Sequence, residues 1–259
     1  MGLNVNMSWL RPRSPKLSKL AEVGWLLESQ SSGFIWDAPR KVSRSEPTPK
    51  HAKSVAYCPA VLDYESRLFE VVSPIDLHLK FAVDEQTKVP RLINGAGDAS
   101  SIRTKHLSQM VVIVSPKEWR HPSRPLLQMM TPYIFIADEP VYINQMPPFV
   151  HYRPAALPGL LIGGRFPIDV WPRQLVWAFE WYDPKQDIVI RRGEPLFYVR
   201  FETQDPSRPV RLIEADMTPT LQEYIKGLSG VTNYVSRTFS LFNTARQRRP
   251  KTLLTPKVR

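Results

Sequence analysis

The chain has 259 residues, 42 % of them hydrophobic, with 35 Lys/Arg against 24 Asp/Glu and a formal charge of +11. That hydrophobic content excludes a disordered polymer, and 26 prolines, each fixing φ and removing a backbone donor, exclude a bundle of long helices. Cys58 is the one cysteine, so no intramolecular disulfide can form, and the absence of any run of 18 apolar residues excludes a transmembrane helix.

Ser14-Pro15 followed by KLSKLAEVGWLLES reads as a helix start, with Ser at the N-cap and Pro at the first helical position. Leu17, Leu20, Ala21 and Leu27 would share one face, although Gly24 interrupts it. Residues 37–54 are polar, basic and proline-bearing, which predicts a linker or long loop. Strand-like runs follow at Val55–Tyr57, Leu68–Val72 and Ile75–Val83. In the last of these, Ile75, Leu77, Leu79, Phe81 and Val83 alternate with Asp76, His78, Lys80 and Ala82, a period of two with one face buried. Gln109–Val114, Tyr133–Ile136 and Val141–Ile143 are further strands. Leu175–Trp181, Ile188–Ile190 and Leu196–Phe201 are joined by the turns Asp183-Pro184-Lys185-Gln186 and Arg192-Gly193-Glu194-Pro195, which predicts an antiparallel meander extended by Val210–Ile213. Thr218-Pro219 opens a short helix to about Lys226, with Gly227 to Gly230 as a break. Val231, Tyr234, Val235, Thr238, Leu241 and Phe242 then recur at helical spacing. The fold class expected is mainly β, an antiparallel β sandwich or jelly roll with a helix near each end.

The charge is unevenly placed. Residues 1–53 hold nine Lys/Arg and four Asp/Glu, residues 54–243 hold twenty of each, and residues 244–259 hold six Lys/Arg and no acid. This divides the chain into a basic N-terminal arm (1–53), a neutral β-rich body (54–243) and a basic tail (244–259). Arms of this kind engage nucleic acid or another acidic surface; solvated basic termini that aid solubility are the competing reading. The six tail cations are Arg246, Arg248, Arg249, Lys251, Lys257 and Arg259.

No catalytic signature stands out. The histidines, His51, His78, His106, His121 and His151, form no HxH, HxD or HxxxH pair. Asp76 and His78 share a strand face, and with His151 they are the residues an iron-dependent oxygenase site would use. Gly163-Gly164-Arg165 lets backbone approach a ligand, with Arg165 to hold a carboxylate or phosphate, but a β-bulge or sheet corner is the favoured reading of the glycines. Asn94–Ser100 lacks a strand-to-helix frame for a phosphate cradle. Trp177, Phe179 and Trp181 alternate onto one face, which suits a sandwich core better than a base-stacking platform. No metal, cofactor or membrane partner is expected, and a homo-oligomer is left open.

Ser73-Pro74-Ile75-Asp76-Leu77 and Ile190-Arg191-Arg192-Gly193-Glu194-Pro195-Leu196 resemble elements of deoxyuridine triphosphatase-like jelly rolls. The catalytic and phosphate-binding motifs of those enzymes are absent, so their activity is not implied. The stretch from Cys58-Pro59 to GEPLFYVRF is similar to uncharacterised phage and marine bacterial proteins, which implies a viral setting; with a single cysteine, the location expected is the cytoplasm of the host or cell, or association with a virion. The expectation is a non-enzymatic structural or interaction protein whose basic ends bind nucleic acid or an acidic protein surface. The alternative is an enzyme with a pocket in a jelly roll, either a metal-dependent oxygenase using Asp76, His78 and His151 or a nucleotide-binding enzyme using Arg165.

Overall fold

Alternating apolar and polar residues place most of the strands, and burial then decides which faces meet. The computed structural model describes residues 20–28, 34–43, 51, 53–100, 102–103, 106–107, 110–232 and 238–258. In chain order these form β1 (Ala21–Leu27), β2 (Arg40–Lys41), α1 (Pro59–Ser66), β3 (Leu68–Val72), β4 (Leu77–Val83), β5 (Pro90–Asn94), β6 (Val111–Ile113), β7 (Leu126–Ile136), β8 (Val141–Met146) and β9 (Gly159–Leu161). There follow β10 (Gly164–Pro167), β11 (Gln174–Trp181), β12 (Ile188–Ile190), β13 (Pro195–Thr203), β14 (Val210–Glu214), α2 (Pro219–Thr232) and α3 (Thr238–Arg248). The protein is mainly β, as its composition and periodicity require.

A six-stranded sheet runs β14-β1-β7-β11-β9, with β6 also on β7; a five-stranded sheet runs β10-β8-β13-β3-β2; and β12-β4-β5 form a third. The two larger sheets face each other across one core, where the Phe135 and Phe201 rings meet at 5.4 Å and Trp177 stacks on Phe179 at 5.2 Å. Trp177, Phe179 and Trp181 all point into that core, as their alternation dictates. The Gln145 amide donates across the layers to the Val176 carbonyl at 2.9 Å, satisfying a buried polar group.

Val55–Tyr57 forms a short 3-10 turn and not a strand, and four larger expectations are corrected. First, β11, β12 and β13 do not form a meander: β11 pairs with β7 and β9, β12 with β4, and β13 with β3 and β8. The tight turns are present, but they carry the chain from one sheet to the next. The chain also changes sheets at Gly163-Gly164, between β9 and β10, where a Cβ on Gly163 would stand 2.8 Å from the Gln145 carbonyl. Second, Ala21–Leu27 is a strand and not the end of a helix, while the Ser14-Pro15 cap lies outside the described residues. As β1 it pairs parallel with β14 and antiparallel with β7, and Gly24 lets Ile136 and Ala215 close in, within 2.8 and 3.1 Å of where a Cβ would sit. A helix would gain none of this and would carry a glycine costing about 1 kcal/mol. Third, α2 runs through Gly227, whose Cβ position meets open space, so the glycine faces outward and does not break the helix.

The fourth correction concerns the ends. The boundaries drawn at residues 53 and 243 fall within the folded unit. β1 and β2 belong to the two main sheets, and residues 244–258 pack against the body. Leu26, Ile134 and Ile136 emerge on the outer face of the six-stranded sheet, where Leu221, Tyr224 and Leu228 of α2, Ala245 of α3 and Leu253 cover them. After α3 the chain reaches the open side of β14: the Asp216 amide donates to Thr255, the Lys257 amide to Glu214, and Ala215 bridges Pro256. A sheet edge with free amides recruits such a strap.

Leu253 is 1 % exposed, so Leu253→Ala removes a buried side chain and is expected to cost about 2–5 kcal/mol. Urea denaturation of the full chain measures this. A loss below about 0.5 kcal/mol, the range of an ordinary surface substitution, would show that the segment does not close the fold.

Candidate functional site

The residues of the enzyme alternative go to separate partners. The Asp76 carboxylate accepts the Arg192 amide at 2.8 Å and so caps the turn before β13. His78 Nε2 lies 2.6 Å from Asp187 Oδ2, and Lys80 Nζ approaches the same oxygen at 3.5 Å. The imidazole lies against Gly95, where a Cβ would come within 2.4 Å of the ring, so that glycine makes room for a side chain and does not cradle a phosphate. His151 Nε2 stands 3.9 Å from Glu194 Oε1, while Arg153 donates to Glu194 Oε2 at 2.6 Å. Arg165 pairs with Glu202 at 2.9 Å and lies 3.8 Å from the centre of the Tyr142 ring. Among the described residues no three His, Cys, Asp or Glu side chains gather as metal ligands. The segments 73–77 and 190–196 do lie side by side, since Ser73 exchanges backbone hydrogen bonds with Gly193 and Glu194.

The basic C-terminal segment is ordered, and its cations divide into two kinds. Arg249 is an anchor. Its Nε donates to the Asp169 carbonyl at 2.6 Å, its Nη2 to the Ala137 and Asp138 carbonyls at 3.3 and 3.0 Å, and its Nη1 to Pro250 at 2.8 Å. A guanidinium suits this role because its fork of donors satisfies several carbonyls at once. Lys257 is paired with Glu214 at 2.7 Å. Arg246 and Arg248, in the last turn of α3, and Lys251 just beyond are exposed and form no ion pair among the described residues. Arg259 lies outside the described residues.

A feature that the sequence reading missed is the turn these cations surround. Between β7 and β8, Asp138 and Glu139 are gripped from two sides. Asp138 Oδ1 accepts the Leu253 amide at 2.6 Å and lies 3.6 Å from Arg249. Glu139 accepts a two-pronged bond from Arg208 at 2.6 and 3.0 Å, and Arg208 also donates to the Leu20 carbonyl at 3.1 Å. Nothing local in Pro206-Ser207-Arg208-Pro209 signals this role, because its partners lie in distant parts of the chain. Beside the turn, burial pushes the Asp169 carboxyl above the usual carboxylate range, opposed by hydrogen bonds from the backbone amides of Asp169 and Val141 and by the charges of Arg249 and Arg246.

With this geometry in place, comparison with known proteins adds no assignment. No protein-family model matches the sequence, and no curated protein is significantly similar to it. Among the described residues no helix is long and apolar enough to cross a membrane.

The Arg208–Glu139 pair predicts an asymmetry. The Arg208 side chain is 6 % exposed and that of Glu139 28 %. Removing Arg208 leaves a carboxylate that water can readily reach, whereas removing Glu139 leaves a guanidinium with much less access to water. Arg208→Met is therefore expected to cost about 1–2 kcal/mol and Glu139→Ala about 2–4 kcal/mol in chemical denaturation. The reverse order would show that the pair does not hold this turn.

Proposed function

We propose that this protein is a non-enzymatic interaction module whose basic C-terminal corner binds an acidic partner, with a nucleic-acid backbone as the leading candidate. The observation that carries the reading is the division of labour in residues 246–251. One arginine is half-buried as an anchor, while Arg246, Arg248 and Lys251 are held exposed beside it with no ion pair among the described residues. The charge count supports it: acids and bases balance over residues 54–243, and the excess sits at the two ends. The competing role, complementing the dipole at the end of α3, accounts for Arg246 and Arg248 but not for Lys251, which lies beyond the helix.

Phosphate contacts position a protein on nucleic acid without reading bases, so binding would be indifferent to sequence and sensitive to salt. A chain ending at Asn243 would lose Leu253 and the Arg249 anchor, confusing folding with binding. The variant to use is Arg246→Gln/Arg248→Gln/Lys251→Gln, which alters only exposed side chains. Three phosphate contacts contribute about −3 to the slope of log K against log salt, so raising salt from about 50 to about 200 mM weakens that contribution roughly fortyfold. In salt titrations with DNA and RNA of unrelated sequences, the variant is expected to have a slope shallower by about 3. Equal affinity and slope for the two proteins, or no binding at low salt, would reject the proposal.

A further inference from the structure

A second group of cations surrounds a recess between the end of α1, β2 and the loop leading into β14. The loop is set by Asp205, whose Oδ1 accepts the Ser207 amide at 2.9 Å and the Ser207 hydroxyl at 2.7 Å. Arg67, just after α1, is fixed by the Asp63 carboxylate, with Nη2 at 3.0 Å and Nε at 3.2 Å, and by the Pro206 carbonyl at 2.5 Å. Arg208 is fixed on Glu139. Lys41 comes from β2; its Nζ lies over the Phe69 ring, 4.1 Å from the ring centre, and donates to the Ser66 carbonyl at 2.5 Å. Lys41, Asp63, Ser66, Arg67, Ser207 and Arg208 supply the polar lining of a recess of about 220 Å³. That is more than ten times the roughly 10–15 Å³ of such space that one water molecule needs, so a tetrahedral oxyanion fits.

The charges in the recess are unequal. Arg67 and Arg208 each face a carboxylate, but Lys41 makes no ion pair among the described residues and keeps two ammonium protons beyond its bond to Ser66. Burial first, and then the neighbouring Arg67 charge, hold its ammonium below the usual lysine range. An anion seated between Lys41 and Arg67 would offset the repulsion between the two cations. The Ser66 and Ser207 hydroxyls already donate to the Asp63 carbonyl and to Asp205 Oδ1, so the donors left to a phosphate are those of the cations.

We infer that this recess is an oxyanion site, in which Lys41 and Arg67 hold a phosphoryl group presented either as free phosphate or as a backbone phosphodiester. Lys41 is the residue that distinguishes the site from a structural salt-bridge cluster, because it alone of the three cations has no carboxylate partner among the described residues. The inference is independent of the C-terminal corner, since none of the residues in that corner line the recess.

The test uses the full chain in thermal unfolding at constant ionic strength, titrated with inorganic phosphate and separately with a short single-stranded oligonucleotide, with chloride as the reference. A ligand that binds the native state raises Tm in proportion to the logarithm of its concentration once the site fills. The expected result is such a rise with at least one of the two ligands, lost in Lys41→Met, retained in Lys41→Arg, and retained in the variant neutralised at residues 246, 248 and 251. A response to phosphate identifies the free ion as sufficient, and a response to the oligonucleotide alone identifies the phosphodiester; both uphold the site. No rise with either ligand in the native chain, or an equal rise in Lys41→Met, overturns it. Binding of DNA that survives Lys41→Met but fails in the triple variant would reject the recess while leaving the C-terminal proposal standing.

Discussion

A sheet that is apolar on both faces has to be covered twice, and the centre of this protein is such a sheet. β7 carries Leu127, Met129, Tyr133 and Phe135 on one side and Ile134 and Ile136 on the other, all at most 1 % exposed. The five-stranded sheet covers the first side, and α2, α3 and Leu253 cover the second. Burying a large aliphatic or aromatic side chain is worth about 1.5–3 kcal/mol. Leaving either face open would therefore forfeit a quantity comparable to the whole net stability of a domain. The C-terminal segment is consequently part of the core, and its cations are positioned by packing.

This requirement explains why the basic residues near the C-terminus are not equivalent. The segment that brings Leu253 onto the sheet must cross the turn between β7 and β8, where backbone carbonyls would otherwise be left partly unsatisfied. Arg249 fills that need with donors to Ala137, Asp138 and Asp169. Arg208 holds the same turn through the Glu139 carboxylate. Two guanidiniums thus grip consecutive residues, and the C-terminal corner and the Lys41 recess share one turn as a common support. Rigid support of this kind reduces the entropy lost when cations are ordered on a ligand.

The candidate enzyme residues illustrate how a shared strand face can mislead. Asp76 and His78 are two apart, yet one caps a turn and the other pairs with Asp187 from a separate loop. Alternation correctly predicts that both leave the core, but it carries no information about which distant side chain each will meet. Gly95 and the Gly163-Gly164 pair are similar, because their purpose is the approach of a ring or of a crossing chain.

The sequence by itself determined the β class, the positions of most strands, the burial of Trp177, Phe179 and Trp181, and the placement of the excess charge toward the two ends. These properties are local: a period of two says which side chains leave water, and composition says how much can be buried. Only the tertiary structure decided which strand lies beside which. β1 meets β14 through pairs such as Ala21 with Val210, and β11, β12 and β13 enter three different sheets. It also decided that Ala21–Leu27 is a strand, that the basic tail is docked, and that Lys41, Arg67 and Arg208 surround one recess. Periodicity specifies that a face must be covered, whereas the covering element is selected by contacts between residues far apart in the chain.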